Sequence, residues 1–288
     1  MLTGDMLSIL CCPTCRAHPL RTEIERQEKD EIREGLLICD RCAASYPVHS
    51  GVPDLIPYPI LGTAEWEMWK NHLEYFQSRR EYRGHKQNHA PTPNRRKRHQ
   101  AFFDFAGITT GKVLDIGCGP GKLRHYLNEK EVHYYGLDPI PLVEAQRFKY
   151  VRALAEHIPF QDSSFSHLLT ISSLDHFHNL KSFFKEASRV LKGNGTLHLL
   201  QSIHGGSDWL SKCKDVLHKT KDAFDRQRTG RKDAKTPKHM REFTTASLLD
   251  TSRDYFEVIS TEKFNQKWYM PSTLFISMRC ISPDARDL

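Results

Sequence analysis

Two hydrophobic periods alternate along most of the chain. From about residue 109 onward, short apolar runs bounded by glycine and polar residues recur between stretches with helical spacing. Residues 112–116, 132–137, 150–154, 166–172 and 196–200 read as five strands, and residues 256–261 and 273–280 as two more. Apolar runs of this length suit strands buried on both faces. Between them, residues 122–130, 141–149 and 245–254 are predicted helical. The clearest helix carries Leu180, Phe183, Phe184, Ala187, Val190 and Leu191 on one face at i, i+3, i+4 and i+7, with Gly193 and Gly195 expected to end it. Strands alternating with helices predict an α/β fold, a seven-stranded doubly wound parallel sheet covered on both faces.

The first 108 residues break this pattern. Residues 1–57 hold short apolar runs and five of the eight cysteines, and residues 58–108 are first aromatic and then strongly basic. Three units are therefore expected: a small domain at 1–57, a helical and basic linker at 58–108, and the α/β domain at 109–288 with an insertion at 205–242. Cys12-Pro-Thr-Cys15 and Cys39-Asp-Arg-Cys42 are two C-x2-C knuckles. Each aims two thiolates at one point, and two knuckles complete a tetrahedral zinc site. A module of this size has a thin core, so a structural Zn2+ would supply much of its stability. The alternative is a set of free buried thiols or a site that has lost its metal. Cys11 is spare, and His49 is a weaker substitute ligand.

Candidate chemistry concentrates where the first α/β strand ends. Val113-Leu114-Asp115-Ile116-Gly117-Cys118-Gly119-Pro120-Gly121 runs an apolar strand into three alternate glycines, and Asp138 ends the next strand 21 residues after Gly117. Glycines let the backbone turn tightly and a ligand lie against it, and a carboxylate at the second strand end accepts the two hydroxyls of a ribose. A dinucleotide turn has the spacing G-x-G-x-x-G. Here the acid Asp115 precedes the first glycine, which repels a pyrophosphate but suits the ammonium of S-adenosylmethionine (SAM).

These residues resemble the class I SAM-dependent methyltransferases, and their type 11 subgroup in particular, over about residues 110–202. Ala155-Glu156-His157-Ile158-Pro159-Phe160 is similar to that family's motif near the adenine, and Ile171-Ser172-Ser173-Leu174-Asp175-His176 to its motif after the fourth strand. Ala187 to Gly195 resembles its E-x-x-R-V-L-K-P-G-G run. The resemblance implies a Rossmann-like methyltransferase sheet that binds SAM through Asp115, Gly117, Gly119, Gly121, Asp138, Ala155, Glu156 and Ser172. Three positions depart from the pattern: Leu154 and Ser166 stand where acids are common, and Asn194 where Pro or Gly is common. Around the cysteines, Leu10 to Cys15, Leu37 to Cys42 and Tyr46 to Leu55 resemble the small zinc-ribbon proteins that activate RNA and protein methyltransferases, which implies a helper or docking domain.

Methyl transfer needs an acceptor held in line and, for a hydroxyl, a base. His176, with Asp175 beside it, is the candidate base; a structural histidine that caps the next helix is the alternative. No Asn/Asp-Pro-Pro-Tyr/Phe run is present, which argues against amino-group methylation of adenine by that route. A small or carrier-bound metabolite is the expected acceptor. The formal net charge of +7 points instead to RNA, because it is concentrated in residues 79–99, with eight Lys/Arg against one acid, and in residues 207–242, with eleven against six. A third reading is a SAM-binding, non-catalytic partner protein. No stretch has the roughly 20 apolar residues of a membrane span, and residues 1–10 lack the basic start of a secretory signal, so a cytoplasmic protein is expected.

Overall fold

The computed structural model describes residues 1–57, 60, 62–63, 66–67, 69–70, 73–74, 92–127, 130–141, 148–203, 241–264 and 272–281. Residues 142–147 of the expected helix at 141–149, residues 79–91 of the basic linker and nearly all of the 205–242 insertion lie outside these, and Lys149, the expected last residue of that helix, is already in a strand.

Residues Leu2–Thr3 (β1), Gly4–Leu7 (α1), Arg21–Glu28 (β2), Glu31–Ile38 (β3), Ser45–His49 (β4) and Val52–Pro53 (β5) form the small domain. Its strands make one antiparallel sheet, ordered β1-β3-β4-β5 with β2 on the other edge of β3.

The larger sheet holds Thr110–Ile116 (β6), Glu131–Leu137 (β7), Lys149–Val151 (β8), Phe165–Ile171 (β9), Leu191–Ile203 (β10), Phe256–Phe264 (β11) and Ser272–Cys280 (β12). Its order is β11-β12-β10-β9-β6-β7-β8. The five strands from β6 to β10 run parallel, as the apolar runs predict, but β12 pairs antiparallel with both β10 and β11. An apolar run specifies burial, not strand direction, so that return was not visible in the pattern. The chain moves from β6 outward through β7 and β8, then crosses back to β9 on the other side. The order thus switches between β6 and β9, where open α/β sheets place their ligand crevice.

Helices Pro93–Ala106 (α2), Leu180–Val190 (α3) and Thr245–Ser252 (α4) cover the faces. α2 opens with Thr92, whose hydroxyl accepts from Arg95 N–H, has Pro93 in its first turn, and ends at Gly107 with φ 60°. It buries His99, Phe102 and Phe103 on β12 and on the 3-10 turn Lys122–Leu127. α3 buries Leu180, Phe183, Phe184, Ala187 and Val190. It stops one residue earlier than its apolar face predicts: Leu191 is extended and already pairs with Phe165. Sheet pairing, rather than the later glycines, ends this helix.

One core joins the two domains. Leu2, Met6, Leu10, Tyr46 and Val48 share a buried cluster with Leu114, Tyr135, Phe160 and Phe165. The small domain adds to the sheet edge beyond β8: Arg152 N–H donates to Pro53 O at 3.0 Å and Leu55 N–H to Arg152 O at 2.8 Å. A second seam pairs Leu10 with Phe160, through Cys11 N–H to Pro159 O and Gln161 N–H to Ile9 O. Arg16 ties the seam to α3 by an ion pair with Glu186 at 2.6 Å. No helix among the described residues is long and apolar enough to cross a membrane.

Candidate cofactor cradle and metal centre

β6 delivers the glycine turn to the switch in strand order. Gly117 N–H donates to Leu137 O at 2.8 Å, which fastens the turn to the end of β7. Gly117, Gly119 and Gly121 have φ of 76°, 56° and 65°, the left-handed region that side chains resist. Space is also short: a Cβ on Gly117 would lie 2.5 Å from Ser173 Cβ, and one on Gly121 2.5 Å from the Phe148 ring. Cys118 is a buried filler against Phe148 and Tyr150.

Two carboxylates flank this turn. Asp138 is 5% exposed, and its Oδ2 accepts from Gly119 N–H at 2.8 Å. Its Oδ1 accepts from Ile140 N–H, and the Tyr150 hydroxyl donates to the Asp138 and Ile140 carbonyls, which fixes the loop after β7. Asp115 is buried beneath the turn and accepts from the Tyr134 hydroxyl at 2.7 Å. Burial pushes its carboxyl up to about 7; the Tyr134 hydrogen bond opposes this and the nearby Asp138 charge adds to it. Beside Asp138, Ile56, Ile60, Trp69, Leu73 and Leu154 make an apolar cluster against which Ile140 packs. The chain thus holds a carboxylate, a glycine turn and an apolar wall together, which is the donor set a nucleoside with a cationic tail requires. The residues present fit SAM.

The remaining sequence-predicted residues follow the carboxyl ends of β8 and β9. Ala155 is buried in the main core. Glu156 is buried, and its Oε1 accepts from the His178 and Asn179 N–H groups at 2.7 and 3.1 Å, at the entrance to α3. Ser172 has φ 56° and donates its N–H to Leu200 O at 2.8 Å. Asp175 and His176 lie on a short 3-10 turn, with His176 Nε2 3.9 Å from Asp175 Oδ2. Asp175 is buried, while the His176 side chain is 22% exposed. Gln201, not predicted from sequence, is buried at the carboxyl end of β10. A lone glutamine after an apolar strand carries no motif that would single it out.

The four predicted metal ligands converge. The Sγ atoms of Cys12, Cys15, Cys39 and Cys42 all lie within 4.8 Å of one another, with 3.6 Å between Cys12 and Cys42 and 3.4 Å between Cys15 and Cys39. A tetrahedron with Zn–S bonds of about 2.3 Å has sulfur edges of roughly 3.8 Å, so this donor set fits Zn2+. The knuckles share one geometry. Arg16 N–H donates to Cys12 O and Ala43 N–H to Cys39 O, and Arg16 and Ala43 take φ of 64° and 56°. Burial disfavours the Cys12 thiolate. Hydrogen bonds from the Tyr46 hydroxyl, the Cys15 and Thr14 N–H groups and Cys42 outweigh it and bring the thiol down to about 7.

Comparison with known proteins finds two family models that match the chain. Residues 114–199 match the family model of a methyltransferase domain, and residues 5–51 that of Trm112p-like protein. An uncharacterised methyltransferase of Synechocystis sp. is 32% identical over 39% of this chain and 57% of its own length. The demethylmenaquinone methyltransferase of Tropheryma whipplei is 30% identical over 36% of this chain and 48% of its own. The chain therefore spans about half the length of these curated relatives. A crystal structure of Burkholderia thailandensis 1,6-didemethyltoxoflavin-N1-methyltransferase, with bound 1,6-didemethyltoxoflavin and S-adenosylhomocysteine (SAH), superposes with a TM-score of 0.51 over 91% of this chain and all of that one, at 13% identity, and so shares the fold. The chain carries a Trm112p-like domain followed by a methyltransferase domain.

Proposed function

We propose that the chain is a SAM-dependent methyltransferase acting on a small or carrier-bound metabolite. The observation that carries this reading is the cradle at the strand-order switch: Asp115 under the glycine turn and Asp138 facing it from β7. SAM supplies an electrophilic methyl on a sulfonium and leaves as SAH when the acceptor takes that methyl. The residues of the chain do the rest. Asp138 binds the ribose hydroxyls, Asp115 faces the ammonium, and the apolar wall with Ala155 holds the adenine and excludes water. Glu156, through the α3 entrance, fixes the loop on which Asp175 and His176 sit. His176 takes the proton of a hydroxyl or activated carbon acceptor, with Asp175 steadying the imidazolium. The Cys12, Cys15, Cys39 and Cys42 site holds Zn2+, which keeps the small domain folded against the sheet edge.

A small acceptor is supported by the names of the relatives, which include a demethylmenaquinone methyltransferase. The RNA reading draws on α2, where Arg95, Arg96 and Lys97 are exposed and no acid lies in the first turn. It predicts RNA binding with a steep salt dependence. The decisive experiment is methyl transfer from labelled SAM to fractionated metabolites and to total RNA. Label recovered in a metabolite fraction, and lost in the Asp138→Ala variant, supports the first reading; label recovered only in RNA overturns it.

A further inference from the structure

α2 and the 3-10 turn Lys122–Leu127 leave a groove of about 600 Å3 between them. Sites for small molecules span about 300–1,000 Å3. The two elements are fastened to each other along the groove. The Tyr126 ring stacks on Phe103 with centres 4.9 Å apart, and the Tyr126 hydroxyl donates to Arg96 O at 3.4 Å.

Four basic side chains line the groove from its two sides. Arg96 and Lys97 come from α2, and His125 from the turn. Lys130 comes from the loop that follows, where its N–H donates to Leu127 O at 3.1 Å. Helical spacing collects the α2 share: Arg96, Gln100 and Asp104 recur every four residues and so lie along one face. The exposed His125 ring bonds the Lys122 carbonyl through Nδ1, which must be the donor. Nε2 is then the atom that takes up a proton and makes the ring a cation.

This charge is uncompensated. Arg16, Arg152 and Arg189 each stand against a carboxylate, but Arg96, Lys97 and Lys130 make no ion pair among the described residues. The one acid of the lining, Asp104, accepts instead from Gln100 Nε2 at 2.9 Å. The positive field reaches beyond the groove. Burial, and then the charges of Arg98, Arg95 and His125, hold the neighbouring His99 down at about 4.

Cations gathered around one cavity without carboxylate partners suit an anion that accepts from several directions. A phosphoryl group does so, with up to two charges and several acceptor oxygens. Asp104 limits the size of the ligand. It lies eight residues after Arg96, about 12 Å along the helix, where its charge repels a phosphate chain that would continue along α2. Asp104 and Gln100 suit a hydroxyl or amine of a compact molecule, and the Phe103–Tyr126 pair suits its apolar body.

We propose that the groove between α2 and the 3-10 turn binds a small phosphorylated molecule, with Arg96, Lys97, His125 and Lys130 supplying the positive charge for its phosphoryl groups. The site shares no residue with the cofactor cradle, and the inference does not depend on the methyltransferase reading.

The test is calorimetric titration of the full chain with inorganic pyrophosphate at constant ionic strength, and separately with a short single-stranded RNA. Wild type binds one pyrophosphate per chain. Arg96→Gln and Lys130→Gln each weaken that binding at least about tenfold, a loss of roughly 1.4 kcal/mol. Arg96 is exposed, so its variant keeps the wild-type melting temperature. Lys192→Gln, at an exposed lysine of β10, leaves pyrophosphate binding unchanged. No pyrophosphate binding by wild type, or equal affinity in wild type, Arg96→Gln and Lys130→Gln, overturns the site. The same loss in Lys192→Gln also overturns it, by assigning the binding to diffuse surface charge. RNA binding that the two groove variants lose, without pyrophosphate binding, overturns it in favour of a nucleic-acid surface.

Discussion

Asp115 links a position in the sequence to a property that can be measured. Its carboxyl, held near 7 by burial, is protonated below that pH and then offers no charge to the ammonium of SAM. SAH affinity should therefore fall as pH drops from 7.5 to 6, by up to about tenfold per unit, and Asp115→Asn should flatten the profile. Calorimetry over that range checks this; equal affinity at both ends contradicts it. Two buried histidines make a separate prediction. Burial holds His198 down at about 3 and His99 at about 4, whereas both titrate near 6.5 once unfolded. Below pH 6.5 the unfolded chain binds protons that the folded chain refuses, so stability is present above 6.5 and is lost as pH falls toward 4. Urea midpoints at pH 7.5 and 5 should show His198→Gln gaining on wild type at the lower pH; a constant gap contradicts this. At this scale the sequence was legible where chemistry is tied to spacing. The four cysteines converge as their two knuckles required. Gln201 was not legible in the same way, because the β10 edge that defines its surroundings is made by residues distant in sequence.

Elements were more readable than their limits. Apolar runs gave all seven strands of the large sheet, because burial leaves a continuous mark on the inner ones, although β10 begins five residues before its expected start and β11 is mostly exposed. They gave neither the antiparallel return of β12 nor the early end of α3 at Val190, since pairing partners decide both. α3 also carries a junction whose strength can be measured. Glu186 Oε2 accepts from Ile158 N–H and pairs with both Arg16 and Arg189, and the Arg189 guanidinium donates to the Ile158 and Phe160 carbonyls. Removing the shared carboxylate leaves two half-buried guanidiniums facing each other. Glu186→Ala should lower stability by about 3 kcal/mol, read from denaturant midpoints, and Arg16→Ala by less. A change under about 1 kcal/mol would show that this junction does not hold the small domain in place. The glycine turn is equally testable. Gly117→Ala forces a side chain into a left-handed position against Ser173 and should cost at least about 1–2 kcal/mol.

For the whole molecule, the small domain is an integral part of the fold. Its apolar residues share one buried cluster with β6, β7 and β9, and its last strand adds to the sheet edge. The sequence suggested separate units at 1–57 and 109–288, because composition changes between them, but a shared core leaves no mark in composition. Loss of metal should therefore lower the melting temperature of the entire chain rather than release one domain. Metal analysis and calorimetric melting of a Cys39→Ser, Cys42→Ser variant check this. Zinc absent with a single, lower transition agrees, while retained zinc or an unchanged main transition does not. The central claim is the cofactor cradle of Asp115, the glycine turn and Asp138. It is tested most directly by isothermal titration of SAH into wild type and Asp138→Asn. One site per wild-type chain, with binding lost or at least about tenfold weaker in the variant, is the predicted result. No heat with wild type, or equal affinity in both proteins, would contradict it.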